Sequence, residues 1–145
     1  MANMSEAEAR AAFTMARVAR LATVATPEGR PHLVPVTFVV DDGNVYFAVD
    51  AKPKSSQQLK RLRNIEANPH VCLLVDEYAE DWEQLWWSRA DGGARVVDSD
   101  VLHQHVGDLL RLKYPQYAGI ASGAASSFGP VVQISVTRWS GWRWS

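Results

Sequence analysis

The sequence has very little cysteine and no long hydrophobic run. Cys72 is the only cysteine, and it lies in the apolar stretch 71–75, so no disulfide framework exists. This pattern predicts a free, buried structural thiol in a reducing compartment, and we expect a cytoplasmic protein. No window approaches the roughly 20 apolar residues of a membrane-spanning helix, and the N-terminus lacks the apolar core of a signal peptide. We therefore expect no membrane partner.

The chain also lacks an excess of charge of either sign. It has 15 basic and 16 acidic residues, so no overall field favours nucleic acid, and any anion site must be local. The sequence shows no nucleophile, triad or carboxylate pair, so it identifies no catalytic residue. His32 has no ligand at metal spacing, and His103 and His105 would point to different faces of a helix. We therefore expect no metal site.

The order of elements predicts one mainly β domain with helices (α+β), covering residues 1–145. Capping boxes at Ser5 and Ser55 begin two helices, and Asp98 or Ser99 caps a third over Val101–Lys113. Alternating and β-branched residues predict six antiparallel strands, with a bend at the glycines near 92. Hairpin connections and unpaired edges would favour closure into a small six-stranded barrel. Five of the predicted strands cover 20–26, 31–40, 45–49, 70–78 and 131–139. The stretch 81–97 is predicted to hold a connection and one long strand that is interrupted or bent at the glycines.

The segment from Asp50 to Asn68 is the strongest candidate for an anion site. Lys52 and Lys54 flank a proline, and Ser55 follows at the predicted start of a helix, where free amides and the helix dipole favour an anion. Lys60, Arg61 and Arg63 continue the basic run. The alternative is an ordinary amphipathic connector with a solvated basic face, because apolar residues recur at helical spacing. That stripe consists of Leu59, Leu62 and Ile65.

Trp82, Trp86 and Trp87 form an aromatic cluster within six residues. Each ring could fill the core. Three together are more aromatic surface than a small core usually needs at one place, so part of the cluster is a candidate wall for a planar ligand or an interface.

Several segments taken in order resemble the pyridoxamine-phosphate-oxidase-like split β-barrel superfamily. The segments are Arg20–Val24, Gly29–Val36, Val45–Asp50 with Lys52 and Lys54, and Asn68-Pro69 before Val71. Within that superfamily, Asp76-Glu77-Tyr78, Asp81-Trp82 and Leu85-Trp86-Trp87 are similar to a subfamily of its actinobacterial deazaflavin-dependent branch, which uses coenzyme F420. The resemblance covers nearly the whole chain.

The resemblance implies a homodimer that holds flavin-type cofactors in two grooves between its subunits. The cofactor ring would lie along the second and third strands, near Pro35, Val36, Thr37 and Phe38. The phosphate would meet Lys52, Lys54 and Ser55, while Lys60 and Arg61 would meet an acidic cofactor tail.

The function implied is a deazaflavin (F420)-dependent oxidoreductase that transfers a hydride to a small unsaturated or heterocyclic molecule. Two alternatives remain. One is an oxidase or reductase that uses flavin mononucleotide (FMN). The other is a non-catalytic protein that binds a cofactor or haem, in which case His32, His70, His103 or His105 would have to serve as the axial ligand.

Overall fold

The computed structural model describes residues 2–49, 56–117 and 128–144, and for residues 56–59 it describes the backbone only. The helices are α1 (Glu6–Met15), α2 (Ser56–Ala67) and α3 (Asp100–Lys113), and a short 3-10 turn covers Trp82–Gln84. The capping box at Ser5 is confirmed, because the Ser5 side chain accepts the Glu8 amide and Glu8 accepts the Ser5 amide. The Ser99 cap of α3 is confirmed as well. None of the described helices is long and apolar enough to cross a bilayer.

Eight strands form one antiparallel sheet. Along the sheet the order is β3-β2-β6-β7-β8-β5-β4, and β1 pairs with β8. The prediction of six strands closed into a barrel is therefore wrong: within the described residues the sheet is open, with β3 and β4 at its two ends. The strands are β1 (Ala2–Asn3), β2 (Ala19–Ala25), β3 (Arg30–Val36), β4 (Val39–Asp41), β5 (Asn44–Ala48), β6 (His70–Glu77), β7 (Trp86–Val96) and β8 (Val131–Arg143).

The predicted strand 31–40 is divided into β3 and β4 at Thr37 and Phe38. At this break the Phe38 amide donates to the Tyr114 hydroxyl at 3.1 Å, and the same hydroxyl lies 3.1 Å from the Phe38 carbonyl. A side chain from the end of α3 thus replaces a neighbouring strand as the partner of this backbone. The chain can then leave one end of the sheet and begin again at the other without an unsatisfied buried amide.

The predicted bend at the glycines is present as a register shift between β7 and β8. Asp91 pairs with Arg138 but Gly92 pairs with Val136, so Thr137 is the extra residue of a bulge. The Thr137 hydroxyl donates to the Asp91 carbonyl at 3.0 Å. A Cβ on Gly92 would lie 2.2 Å from the Ser135 carbonyl oxygen, so only glycine fits beside this strand.

The two faces of the sheet differ in burial. The inner face packs against α1 and α2 around Phe13, Leu21, Phe38, Phe47 and Leu73, each of which is completely buried. A second cluster lies beneath α3 around Val106, Leu110 and Val131. The outer face of β2, β3 and β6 carries partly or fully exposed side chains that alternate with these core positions. The outer-face residues include Ala22, Val24, Leu33, Pro35, Cys72 and Leu74.

Cys72 is therefore only partly buried, and the prediction of a buried thiol is wrong. In β6 the odd-numbered residues 71, 73 and 75 are buried in the core, and the side chain of Cys72 lies on the opposite face. Desolvation and the carboxylate of Asp91 still raise the pKa of the Cys72 thiol, so the residue is a weak nucleophile.

Candidate functional site

The predicted cofactor residues lie in three segments, of which one cannot be compared with the structure. Lys52, Lys54 and Ser55 lie outside the described residues, so the phosphate site assigned to them stays a prediction. The described segments are the end of β3 with the following turn, and helix α2.

At the end of β3 the four predicted ring contacts divide into two pairs. Pro35 and Thr37 are exposed, whereas the side chains of Val36 and Phe38 are buried in the core. Within the described residues β3 has β2 as its only strand neighbour, so its other edge presents unpaired backbone groups. A planar ligand at this place would therefore meet Pro35, Thr37 and the strand backbone rather than the two buried side chains.

Lys60 and Arg61 are adjacent in sequence but lie in different surroundings. Successive helical residues are rotated by roughly 100°, so neighbours point in different directions. The Lys60 side chain lines a cleft beside the β2–β3 hairpin. The Arg61 guanidinium lies 5.9 Å from the centre of the Phe47 ring, a residue of β5 in the core. These two predicted tail contacts do not lie in one cleft.

The cleft that contains Lys60 is basic. It has a volume of about 480 Å³. Three cations and one carboxylate line it, and among the described residues none of the cations lies within ion-pair distance of a carboxylate. Such a cluster attracts an anion by charge and offers several N–H donors. The lining residues are Ala25, Thr26, Glu28, Arg30, Lys60, Arg63, Asn64 and Ala67.

A buried hydrogen bond fixes α2 against the sheet beside this cleft. Asn64 donates to the Thr23 hydroxyl at 3.1 Å, and both side chains are almost completely buried. Arg63 lies next to Asn64 on α2, and Arg30 begins β3 opposite Ala25 of β2. The sequence pattern includes Arg63 in the basic run of the anion site, but it does not assign Arg30 to that site. The available signal for Arg63 was its three-residue spacing from Lys60, which places both on one side of a helix.

A second polar cluster lies behind Phe38 at the end of α3. The Tyr114 hydroxyl lies 3.0 Å from the Arg17 carbonyl, and desolvation raises the pKa of Tyr114. The Lys113 ammonium lies 3.8 Å from the centre of the Phe38 ring, and desolvation, with a smaller contribution from Arg17, lowers the pKa of Lys113 to about 8. The hydroxyls of Thr37 and Tyr117 lie 2.5 Å apart, so Thr37 is held from the side of α3.

The histidines do not converge. The His103 ring nitrogen Nε2 lies 2.8 Å from the Gly129 carbonyl, and His105 Nε2 lies 3.1 Å from an Asp41 carboxylate oxygen. His70 is exposed at the start of β6, and His32 is partly buried on β3. In the part of the chain that the structure describes, no three metal-binding side chains come together.

The tryptophan cluster lies in the middle of the sheet, where β6 ends and β7 begins. Trp86 and Trp87 begin β7 and are partly buried, whereas Trp82 is 57% exposed and faces the Trp144 ring. Trp86 and Trp87 line a groove of about 430 Å³ together with Trp142 of β8. This groove shares no lining residue with the basic cleft.

The sequence model of the family described as pyridoxamine 5'-phosphate oxidase matches residues 5–143, and the chain belongs to this family. No curated protein matches the chain.

Solved structures at low identity share the fold. A conserved hypothetical protein of Mycobacterium tuberculosis has a TM-score of 0.76 at 24% identity, with 97% of this chain and 85% of that chain covered. A FAD-binding protein of Mesorhizobium loti has a TM-score of 0.72 at 21% identity and coverage of 97% and 95%. A haem storage protein of Vibrio cholerae has a TM-score of 0.68 at 20% identity with the same coverage. These similarities extend the fold assignment over almost the whole chain.

Proposed function

We propose that this protein is an oxidoreductase that binds the deazaflavin coenzyme F420 and reduces a small unsaturated or heterocyclic molecule. When bound, such a coenzyme supplies the hydride, and the protein contributes binding, orientation and exclusion of water. The observation that carries the proposal is the basic cleft of Arg30, Lys60 and Arg63. Family membership and the resemblance to the deazaflavin-dependent branch support it.

The donor set of the cleft fits an acidic ligand. With Glu28 included, the cleft carries three positive charges and one negative charge. Lys60 lies on α2, and Lys52, Lys54 and Ser55 precede that helix in sequence. A coenzyme whose phosphate meets the latter residues and whose acidic tail meets Lys60 would use both groups of cations.

The free edge of β3 supports the proposed position of the ring. Arg30 and Pro35 are five residues apart on β3, a distance of about 17 Å at the usual rise of a strand. They lie on opposite faces of the strand because five is an odd number of positions. A ligand that contacts both Arg30 and Pro35 must therefore pass over the free edge of β3. There its ring can form hydrogen bonds with unpaired backbone groups.

The number of cations favours the deazaflavin over FMN. FMN ends in one phosphate, whereas the deazaflavin coenzyme continues beyond its phosphate into an acidic tail. The pair Lys52 and Lys54 would satisfy one phosphate, and the three cations of the cleft would remain without a partner. A carboxylate-bearing tail gives them one.

We also propose that the protein is a homodimer, formed through the outer face of β2 and β3. Leu33 is 67% exposed there, and Ala22 and Val24 are only partly covered. A second copy would bury this apolar face, and an obligate interface would cover more than roughly 2,000 Å² in total. Light scattering at micromolar concentration should return twice the 16.1 kDa chain mass, and a monomer would contradict this part of the proposal.

The test of the proposed function is a titration of the full-length protein with F420, FMN and haem. Wild-type protein should bind F420 most tightly. Changing Lys60 and Arg63 to Ala removes two charge-assisted contacts of about 1.5–3 kcal/mol each when well formed. Affinity for F420 should fall at least tenfold per contact, because about 1.4 kcal/mol is a factor of ten. The Lys52→Ala, Lys54→Ala double variant should weaken F420 and FMN alike, since both carry the phosphate.

Arg95→Ala is the matched control for loss of a cation. Arg95 is exposed on β7 and does not line the cleft. Circular dichroism monitors folding in every variant. Unchanged F420 affinity in a folded Lys60→Ala, Arg63→Ala variant would contradict the assignment of the cleft. A wild-type preference for FMN, or a Soret band with saturable haem binding, would instead favour one of the two alternatives.

A further inference from the structure

The aromatic groove is a second concave site, separate from the basic cleft. It lies where β6, β7 and β8 run side by side, and its volume of about 430 Å³ falls within the usual range of small-molecule pockets, roughly 300–1,000 Å³. Most of its walls are aromatic or aliphatic. Its lining consists of Leu74, Asp76, Glu77, Tyr78, Leu85, Trp86, Trp87, Arg89 and Trp142.

The strand register explains why the groove has an aromatic wall. Trp87 pairs with Trp142 across β7 and β8, and with Asp76 across β6 and β7. Directly opposed residues on neighbouring strands have Cβ atoms about 5 Å apart, so the two tryptophans line the groove from neighbouring positions, next to a carboxylate. Both indoles remain partly exposed, although tryptophan gains much free energy from burial. A planar ring can lie on this surface.

The charges in the groove favour a cation. The Arg89 guanidinium donates to an Asp91 carboxylate oxygen at 2.9 Å, so its charge is already balanced. Asp76 lies 3.6 Å from Arg20, with both side chains 46% exposed. Glu77 accepts from the Trp86 indole at 2.9 Å and has no basic side chain within ion-pair distance among the described residues.

We infer that this groove binds a planar aromatic molecule that carries a positive charge, such as a protonated aromatic amine. The indoles of Trp87 and Trp142 contact the ring faces and stabilise the cation through their π systems. The Glu77 carboxylate accepts an N–H from the ligand while it keeps its bond to Trp86. The inference does not depend on the proposed cofactor, because the groove and the basic cleft have no lining residue in common.

The test uses three probes of one shape and different charge: 1-naphthylmethylammonium, 1-naphthalenemethanol and 1-naphthaleneacetate. Binding to the full-length protein without any added cofactor is measured by calorimetry and by the indole N–H signals in ¹H–¹⁵N NMR spectra. We expect the cation to bind most tightly and the anion most weakly, with shifts of the Trp87 and Trp142 indole signals. Similar affinity for cation and anion, or no binding of the cation, would overturn the inference.

Two variants and one control separate charge from shape. Glu77→Gln keeps an acceptor for Trp86 but removes the charge, so affinity for the cation should fall roughly tenfold while the neutral alcohol binds as before. Trp87→Leu should weaken all three probes. Trp82→Leu is the control, because Trp82 does not line the groove. Since Glu77 lies on the surface, its variant should fold, and an unchanged preference for the cation in it would refute the role of the carboxylate.

Discussion

The Tyr114 hydroxyl is the most informative single group for stability, because it satisfies the backbone where β3 ends and β4 begins. Tyr114 is 6% exposed. Its hydroxyl accepts the Phe38 amide at 3.1 Å and lies 3.1 Å and 3.0 Å from the carbonyls of Phe38 and Arg17. The change Tyr114→Phe removes this oxygen and keeps the ring. It therefore isolates the polar contribution from the packing contribution.

The expected loss follows from the buried donor that remains. A buried N–H without a partner costs about 1–3 kcal/mol, so the free energy of unfolding should fall by about 2 kcal/mol. For a domain of about 150 residues each kcal/mol corresponds to roughly 2–4 °C, so the midpoint of thermal unfolding should fall by roughly 4–8 °C. The ring contact with Tyr117, at a centroid distance of 5.8 Å, is retained.

Urea unfolding followed by circular dichroism, at one fixed protein concentration, measures this loss. Tyr117→Phe is the control, because its hydroxyl contacts only the exposed Thr37 side chain in the described structure, and it should cost less than about 1 kcal/mol. A loss below about 0.5 kcal/mol in Tyr114→Phe, with an unchanged dependence on urea, would refute the reasoning. It would mean that the Phe38 amide finds another partner.

Two further predictions concern the bulge and a half-buried amine. Gly92→Ala should lower the free energy of unfolding by at least about 1–3 kcal/mol, because the added Cβ would clash with the Ser135 carbonyl. Gly93→Ala is the control, since its Cβ would meet open space, and it should change stability by less than about 0.5 kcal/mol. The midpoints of urea unfolding of the two variants measure the difference. Folding lowers the pKa of Lys113 to about 8 from its ordinary value near 10.5, so between these values the unfolded chain binds more protons and stability should rise with pH. Lys113→Met should lack this rise when urea midpoints at pH 7.5 and 9.5 are compared, and the same rise in both proteins would contradict the assignment.

Local patterns in the sequence predict the elements of this fold well but not how many strands there are. The capping box of α1, the N-cap of α3 and the helical spacing of both depend on residues within one or two turns, and the starts of both helices are confirmed within one residue. The stretch 31–40 alternates throughout like one strand. Its break at Phe38 depends on Tyr114, 76 residues away, and no local pattern contains that contact.

Local sequence patterns also failed to predict that the sheet is open. Barrel closure was predicted because free strand edges are usually covered, yet β3 and β4 remain at opposite ends of the sheet. One strand, β1, was not predicted at all. It has two residues, too few for an alternating pattern to be recognised.

The basic cleft shows why the candidate site was only partly predictable. The sequence indicates a run of cations before and within α2. Adjacent residues of a helix point in different directions, however, and Arg61 lies beside Phe47 and not in the cleft. The cation that completes the cleft is Arg30, which enters the sequence-based prediction only as part of the segment Gly29–Val36. Arg30 and Lys60 line one cleft because the Asn64–Thr23 hydrogen bond holds α2 against β2, and β2 pairs with the strand that begins at Arg30. A variant that breaks this bond, Asn64→Ala, should therefore weaken binding of an acidic ligand although Asn64 carries no charge. The same F420 titration measures this effect, and unchanged affinity in the folded variant would show that the cleft forms without the anchor.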